Sequence, residues 1–286
     1  MTRPTILMLI AALLGGCAED RTPVSALRAY LDDLSAGRYQ RAYDRLTSVS
    51  RMYTPYPDFE ARQRRWRSSG QTDRVLPASG QPADREAGVD VEVLKGTTTE
   101  HVTYRCVREG GAWKVAHFVT LVELADQAIR RGDEVGAVEI LKRAWEIDPT
   151  QMLTAFKLSI TFRTMDAGRR AKGEAAPEEL QQQAIDWAKK AVSCATSPKA
   201  QGVALFALGA AYDGAGFDKE AEETYTRMLE TPLARDGHVL ALYRRALDRM
   251  RLGHGADAKA DLNDALALAP DDVRARTLAR NWGVAR

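Results

Sequence analysis

The feature that most constrains the fold is an internal repeat in the carboxyl-terminal half of the chain. A fixed spacing of glycine, alanine, leucine, alanine and proline is formed by Gly132, Ala137, Leu141, Ala144 and Pro149. The same residues recur at the same spacing as Gly253, Ala258, Leu262, Ala265 and Pro270. A third, looser copy comprises Gly216, Ala221, Tyr225, Met228 and Pro232. Self-similarity of this kind indicates stacked supersecondary units rather than a single irregular core.

Each repeated position has a structural reason. Glycine permits the turn between two helices, alanine lets the paired helices approach, and Pro149 and Pro270 end one helix before the next begins. A Leu-Gly-x-x-Tyr step, Leu208 to Tyr212, precedes the third turn. Together these residues resemble the tetratricopeptide repeat. The resemblance implies an all-α solenoid of about four helix pairs over residues 119–270, followed by a capping helix at 271–286.

The second of these units is degenerate. Its first helix is expected to carry Met152 to Phe162, and its second helix is expected to open at Pro177. Between them, Asp166 to Ala176 is predicted to form a polar loop that is longer than the short turn of the family. Such a loop would disturb the register of neighbouring repeats.

In the tetratricopeptide family the first helix of each pair lines a groove that usually holds a peptide or helix of a partner. Carrying these groove positions onto this chain gives Asp126, Arg130, Phe206, Asp213, Tyr243, Leu247 and Arg251. Phe206 and Tyr243 are the expected anchors, because aromatic side chains dominate binding hot spots. The alternative is that both rings pack between repeats.

Residues 22–118 are predicted to form a separate α+β domain. Thr22-Pro23 suits a helix start, because threonine caps free amides and proline fits the first helical position. Helical spacing gives way to strict alternation at Val89, Val91 and Val93, which indicates a strand with one buried face. Two further alternating segments follow, separated by glycine turns, and predict an antiparallel meander.

Two steps in this domain, Pro23 to Tyr30 and Gly37 to Tyr43, resemble the opening of the NTF2-like (cystatin-like) superfamily. The resemblance implies helices wrapped by a curved antiparallel sheet that leaves a pocket. The residues expected to line that pocket are Tyr30, Tyr43, Tyr104 and His117. It also supplies an alternative function, in which this domain binds or converts a small apolar ligand and the repeats dock it.

The candidates for acid–base chemistry in this domain are Asp90, Glu92, His101 and His117. The two carboxylates alternate with valines and are expected to face water, and a lone inward histidine is more often a hydrogen-bonded core residue than a base. No Gly-x-Ser-x-Gly, His-Glu-x-x-His, Walker or dinucleotide motif occurs. The sequence therefore predicts a protein that is not an enzyme, with no cofactor and no metal site.

The amino terminus predicts a compartment. Leu14-Gly15-Gly16-Cys17 follows a short basic start and an apolar run, and it resembles the lipobox of bacterial lipoproteins. The resemblance implies that residues 1–16 are a signal peptide and that residues 17–21 are a tether lipidated at Cys17. The apolar run is far shorter than the roughly twenty residues that span a bilayer. A plain secretory signal or one transmembrane helix are the alternatives.

The expected location is the cell envelope. If the source has two membranes, we expect the outer membrane, facing the periplasm, because Ala18 stands where the inner-membrane retention signal of the lipoprotein family places Asp. The chain has 41 basic and 39 acidic residues, so it has no global field to attract nucleic acid. Its expected partners are another envelope protein or peptide, bound in the groove, and the membrane, through the lipid. A passive structural role in a larger envelope assembly is a further possibility.

Two smaller features have plain structural interpretations. Cys106 and Cys194 are expected to be buried free thiols, and a disulfide between them is the alternative. The dense basic cluster formed by Arg62, Arg64, Arg65 and Arg67 is expected to be a solvated helix face. The alternative for this cluster is an anionic headgroup or glycan site.

Overall fold

A computed structural model describes residues 22–68, 72–75, 84–95, 97–175 and 177–284. It divides into an amino-terminal unit that ends at Thr120 and a carboxyl-terminal unit that begins at Leu121, where we expected a boundary after residue 118. Cys17, the signal segment and the tether lie outside the described residues. Within the described ranges, no helix has the length and apolar character needed to cross a membrane.

Helices come first in the amino-terminal unit. They are α1 (Pro23–Ser35), α2 (Tyr39–Asp44), α3 (Ser48–Tyr53) and α4 (Tyr56–Ser68). The Thr22 hydroxyl accepts the Ser25 amide at 3.1 Å and caps α1, as its sequence predicts. Helix α4 begins at Tyr56 and accommodates Pro57 in its first turn, because the amide that proline lacks would be unpaired there.

The sheet of this unit is an antiparallel meander, as the alternation predicts. Its strands are β1 (Thr72–Val75), β2 (Glu86–Lys95), β3 (Thr98–Glu109) and β4 (Ala112–Val115), in the order β1-β2-β3-β4. Val91 lies opposite Val102, and Cys106 lies opposite Val115. Val102 alternates with Tyr104 and Cys106 along β3, but Val102 is 38% exposed, whereas Cys106 is fully buried.

One hydrophobic core joins these helices to the sheet. Helix α1 contributes Leu27 and Tyr30, helix α4 contributes Phe59, and β2 contributes Val91, all of which are buried. Leu46, which follows α2, lies in the same core and forms a parallel bridge with β4. Burial of these apolar side chains stabilises the unit by about 1.5–3 kcal/mol for each large one.

The carboxyl-terminal unit is all-α. Its successive helix pairs are α5 (Val119–Arg130) with α6 (Glu134–Ile147), α7 (Met152–Ala171) with α8 (Glu178–Cys194), α9 (Pro198–Ala215) with α10 (Asp218–Leu229), and α11 (Arg235–Arg251) with α12 (Gly255–Leu268). A final helix, α13 (Val273–Asn281), packs against the last pair through Ala275 and Ala279. The first two residues of α5, Val119 and Thr120, belong to the amino-terminal side of the division between units.

The repeated residues occupy the positions that their spacing predicts. Gly132, Gly216 and Gly253 adopt positive φ of 75°, 80° and 84° between the helices of their pairs, a conformation that a residue with a Cβ rarely adopts. The repeated alanines, Ala137, Ala221 and Ala258, are fully buried. They lie where the two helices of a pair need a small side chain.

The polar loop expected from Asp166 to Ala176 is largely wrong. Helix α7 continues through Ala171, and only a short turn separates it from α8. One of the polar side chains that suggested a loop packs within the helix pair. Asp166 is buried, accepts a hydrogen bond from Gln181 of α8 at 3.2 Å, and pairs with Arg170 at 2.9 Å. Gly173, at φ of 74°, then ends the helix.

Candidate partner-binding surface

The first helices of the four pairs, α5, α7, α9 and α11, form what we call the first-helix row. Polar contacts connect each member to the next. Lys157 of α7 donates to Asp126 of α5 at 2.6 Å. Arg170 of α7 reaches the backbone carbonyl of Gly214 in α9 at 3.5 Å. Arg244 of α11 donates to Asp213 of α9 at 3.2 Å, so the row is linked along its whole length.

A dense ionic cluster occupies the row between α9 and α11. The Arg251 guanidinium donates to Asp213 at 2.5 Å, to Asp218 at 2.7 Å, and to Asp248. Asp248 is fully buried. Burial raises its pKa to about 7, and the neighbouring Asp213 carboxylate contributes to the rise. One guanidinium thus holds three carboxylates together.

These three carboxylates also have the spacing of cation ligands. Asp213, Asp218 and Asp248 each place one oxygen within 4.8 Å of the others. The Arg251 guanidinium already lies among them and supplies positive charge, and Arg244 supplies more to Asp213. The arrangement therefore works as an ionic clasp that fixes the third repeat to the fourth.

The groove residues expected from the sequence divide into two groups. Asp126, Asp213 and Arg251 are all engaged in the ionic contacts that link first helices. Arg130 is exposed at the end of α5, and Leu247 is half-buried in α11. All of these residues lie on the first-helix row, and a direct ion pair joins two of them, Asp213 and Arg251.

The two expected aromatic anchors are less open than the sequence suggested. Phe206 is half-buried and packs against the core cluster that includes Leu205 and Tyr225, which fits the alternative of packing between repeats. Tyr243 is half-buried, and the Arg274 guanidinium lies over its ring, 5.8 Å from the centroid. Tyr243 therefore keeps part of its surface on the row, beside the final helix.

Sequence reasoning missed several members of this surface. On the first helices they are Lys157, Arg163, Arg244 and Asp248, and Asp218 of α10 joins their ionic cluster. A usable signal was present in α11, where Arg244, Asp248 and Arg251 recur at helical spacing on one face. Arg163 gave no signal, because it lies in the degenerate repeat, where the family pattern could not be followed.

In the amino-terminal unit, the expected pocket residues share one interior. The Tyr30 hydroxyl lies 3.3 Å from Nδ1 of His117, and the Thr120 hydroxyl lies 2.8 Å from its Nε2. The Phe59 ring meets the imidazole edge to face at 5.2 Å. Burial, followed by the charge of Arg62, holds the pKa of His117 well below its usual 6.5. The ring is thus neutral, with both nitrogens engaged.

The other two pocket residues flank the same core. Tyr43 donates to the backbone carbonyl of Thr54 at 2.9 Å, and its ring packs against Phe59. Tyr104 is half-buried against the core from β3. A cavity of about 260 Å³ lies elsewhere in this unit, lined by residues of α1, α2 and the segments beside them.

That cavity is lined by polar groups around one buried carboxylate. Arg38 and Arg45 donate to Asp33 at 2.6 and 2.8 Å. Burial by itself would raise the pKa of Asp33, but the hydrogen bonds from Arg45 and Arg38 outweigh it, so the pKa is lowered. Asp33 is therefore an ionised anchor for the arginines that follow α1.

The remaining candidates for acid–base chemistry lie on strands of the sheet. Asp90 is half-buried and accepts the Thr103 hydroxyl at 2.6 Å, and Glu92 and His101 lie on the paired strands β2 and β3. The side chain of His101 is outside the described set. Cys106 is a buried free thiol as expected, whereas Cys194 is free but only partly buried.

The basic cluster on α4 is mostly solvated. Arg64, Arg65 and Arg67 are exposed, and Arg62 is half-buried. Arg64 pairs with Glu60 at 2.6 Å and covers the Tyr39 ring at 5.2 Å. These contacts fit the expectation of a solvated helix face.

A scan against protein-family models finds no match, and a search of curated proteins finds none either. Among solved structures, an IFIT1 monomeric mutant with Gppp-AAAA matches at a TM-score of 0.50 and 16% identity, over 57% of this chain and 37% of that one. A crystal structure of MamA matches at a TM-score of 0.44 and 23% identity, over 56% of this chain and 85% of that one. A structure of pilF from Pseudomonas aeruginosa matches at a TM-score of 0.46 and 18% identity, over 57% of this chain and 68% of that one.

These neighbours are tetratricopeptide repeat proteins. At 16% identity the likeness to IFIT1 shows the fold alone. It agrees with the turn glycines, the buried alanines and the four helix pairs described above. The carboxyl-terminal unit is therefore an all-α tetratricopeptide repeat solenoid.

Proposed function

We propose that this protein is a membrane-anchored envelope lipoprotein that acts as a non-catalytic scaffold. In this proposal, its first-helix row binds a segment of another envelope protein or a peptide. The observation that carries the proposal is the continuity of that row, in which side chains of successive first helices meet at Asp126–Lys157 and Asp213–Arg244. A single extended segment lying across α5 to α11 would contact all four repeats.

The distribution of side chains supports this use of the row. Several large side chains of the second helices, among them Leu141, Tyr225 and Leu262, are buried within the solenoid. The first helices keep Tyr243 and Leu247 half-buried beside charged groups. A half-buried apolar side chain with a polar rim is the usual composition of a binding surface.

The anchoring part of the proposal rests on the sequence around Cys17. Acyl chains contribute about 0.8 kcal/mol for each buried methylene, and stable anchoring requires more than one chain. A diacylated Cys17 would hold the chain at a membrane through a five-residue tether, residues 17–21, before α1 begins. With Ala18 next to the cysteine, the proposed location is the outer membrane, facing the periplasm.

We also propose that the amino-terminal unit is NTF2-like. Four helices followed by an antiparallel meander, with α1 packed on the sheet, support this assignment. Its proposed role is that of a spacer or docking piece between the anchor and the repeats. The neutral, doubly hydrogen-bonded His117 does not favour the alternative in which this unit converts a small ligand.

The binding role is tested by placing a photo-crosslinking amino acid at position 247 in the full chain, in cells that make it naturally. The matched control places the same amino acid at Val135, an exposed apolar residue on a second helix. A partner crosslinked from position 247 and not from position 135 supports the proposal. Equal crosslinking from both positions, or from neither, refutes the assignment of the row.

The anchor is tested separately with Cys17→Ser. The wild-type chain should pellet with membranes and enter the detergent phase, and the variant should lose both properties. Cys194→Ser, which removes a partly buried free thiol in the solenoid, is the matched control and should remain with the membrane. Retention of Cys17→Ser in the membrane would refute lipid anchoring without bearing on the first-helix row.

A further inference from the structure

The cavity beside α1 and α2 in the amino-terminal unit is lined mainly by charged side chains. It measures about 260 Å³. Its charged lining residues are four arginines and two aspartates, namely Arg28, Arg38, Arg41, Arg45, Asp32 and Asp33. Four guanidiniums against two carboxylates leave an excess of two positive charges. A cleft lined predominantly by one sign of charge attracts ions of the opposite sign.

Asp33 holds two of these arginines in place. Its side chain is 1% exposed, and it accepts hydrogen bonds from Nε of Arg38 at 2.6 Å and from Nε of Arg45 at 2.8 Å. The Arg45 side chain is itself only 13% exposed. Because these two guanidiniums are fixed before an anion arrives, binding the anion costs little ordering of their side chains. Asp33 is therefore a positioning residue of the cavity.

The other two arginines are open to a ligand. Arg28 and Arg41 are exposed, and neither donates a hydrogen bond within the part of the chain that the structure describes. The Nε of Arg41 lies 3.6 Å from Asp33, which is too long for a hydrogen bond, and Asp33 already accepts two shorter ones. The N–H groups of Arg28 and Arg41 can therefore donate to an incoming anion.

We propose that this cavity binds a phosphate monoester, with Arg28 and Arg41 as its direct ligands and with Arg38 and Arg45 placing their charge beside it. A phosphate monoester carries a charge of about −1.5 to −2 at pH 7 and has three strong acceptor oxygens. This charge matches the excess of two in the lining, whereas a single carboxylate would neutralise only half of it. Planar guanidiniums also donate paired N–H groups to phosphate oxygens.

The position of the cavity along α1 indicates where the phosphate comes from. One face of α1, from Ser25 to Asp32, lines the cavity and begins in the first turn of the helix. The tether of residues 17–21 spans at most about 18 Å when fully extended. A lipidated Cys17 would therefore keep this end of the cavity close to lipid headgroups, and the headgroup source rests on the anchoring part of the proposed function. A soluble phosphate ester has the same chemistry, so the experiment must separate the two sources.

The probes are glycerol phosphate, phosphatidic acid and phosphatidylcholine. Each is titrated by calorimetry into the full chain in micelles of one uncharged detergent. Glycerol phosphate is a soluble monoester, phosphatidic acid presents the same monoester on a lipid, and phosphatidylcholine presents a zwitterionic diester. The wild type should bind phosphatidic acid at least about tenfold more tightly than phosphatidylcholine, as expected for added charge-assisted hydrogen bonds.

Two pairs of substitutions test the assigned ligands. Arg28→Gln combined with Arg41→Gln should weaken the binding of phosphatidic acid roughly tenfold or more. The matched control combines Arg51→Gln with Arg108→Gln, which removes two positive charges from exposed positions that do not line the cavity. This control should bind phosphatidic acid as the wild type does, because the proposed site depends on placed donors rather than on net charge.

Thermal unfolding distinguishes a ligand site from a structural ion cluster. Without ligand, the variant lacking Arg28 and Arg41 should unfold at the wild-type midpoint, because exposed charges without hydrogen bonds contribute little to stability. Phosphatidic acid should raise the midpoint of the wild type by mass action and leave that of the variant unchanged. A variant that unfolds earlier without ligand, together with a wild type that phosphatidic acid does not stabilise, would assign these arginines to a structural cluster and overturn the inference.

The remaining outcomes identify the source or refute the site. Tighter binding of phosphatidic acid than of glycerol phosphate assigns the phosphate to a lipid headgroup, and equal or weaker binding assigns it to a soluble ester. Equal affinity for phosphatidic acid and phosphatidylcholine, no binding of either monoester, or equal loss of binding in the two pairs of variants would overturn the phosphate site. None of these results bears on the first-helix row or on lipidation of Cys17, which have their own tests.

Discussion

Replacing Gly209 of α9 with alanine should destabilise the solenoid, although alanine is the better helix former. A Cβ built on Gly209 would lie 2.7 Å from Cε1, 2.9 Å from Cζ and 3.0 Å from Cδ1 of Tyr225. Optimal contacts between carbon atoms are about 3.5–4.0 Å long. The ring would therefore have to move by roughly 1 Å to restore normal contact.

The ring has little freedom to make that movement. Tyr225 is fully buried in α10 and packs in a cluster with Leu205, Met228 and Ala241. Overpacking of a tight core costs about 1–3 kcal/mol. Alanine recovers about 1 kcal/mol of helix propensity relative to glycine. The net effect on the free energy of unfolding is a loss of about 0–2 kcal/mol.

A matched control removes the uncertainty in helix propensity. Gly214 lies in the same helix, and a Cβ there would meet nothing within 4 Å. Gly214→Ala should therefore stabilise the chain by up to about 1 kcal/mol. The difference between the two variants isolates the overlap with Tyr225 and should be about 1–3 kcal/mol.

Urea unfolding followed by far-ultraviolet circular dichroism measures both midpoints under the same conditions. Tyr225→Leu combined with Gly209→Ala should recover most of the overlap cost, which a double-mutant cycle reports as a coupling free energy. Equal stability of the Gly209→Ala and Gly214→Ala variants would show that the close approach of α9 to the Tyr225 ring does not matter energetically. The argument about small residues in the helix pairs would then fail.

Three further predictions concern buried groups. In the folded state the pKa of Asp248 is about 7, against an ordinary 3.8. The free energy of unfolding should therefore fall as the pH rises from about 4 to 7, by at most about 4 kcal/mol. Asp248→Asn should flatten this dependence in urea midpoints measured at several pH values. Tyr30→Phe should destabilise the amino-terminal unit by about 1–3 kcal/mol in thermal unfolding, because it removes the hydroxyl beside Nδ1 of His117. Leu141→Ala should cost about 2–5 kcal/mol in urea unfolding, since Leu141 is fully buried, whereas Val135→Ala should change little.

The sequence predicted the parts of this fold that depend on local periodicity. The repeated glycines and alanines identified the helix pairs, and the alternation of Val89, Val91 and Val93 identified the buried face of β2. Periodicity failed between Asp166 and Ala171, where polar residues continue α7. Residues 167–171 are exposed and still helical, and only Asp166 is buried, against Gln181 of α8. Polar composition therefore does not by itself end a helix.

The candidate site was less predictable than the fold. Family positions placed Asp213, Tyr243 and Arg251 on the first-helix row, but they could not show that Arg251 is surrounded by carboxylates or that Phe206 is part of the core. Spacing along one helix specifies which face a residue lies on. It carries no information about the charge that a different repeat brings to the same place.

The amino-acid sequence by itself determined that helices stack in pairs after residue 120, because glycine and alanine at fixed spacing satisfy turn and packing requirements within each pair. Only the tertiary structure decided which charges are neutralised and which are not. Asp213 is shared by Arg244 and Arg251, because helix α11 brings both arginines to the Asp213 side chain of α9. Charge pairing depends on distances of a few ångströms between segments far apart in the chain, and those distances are a property of the packed fold.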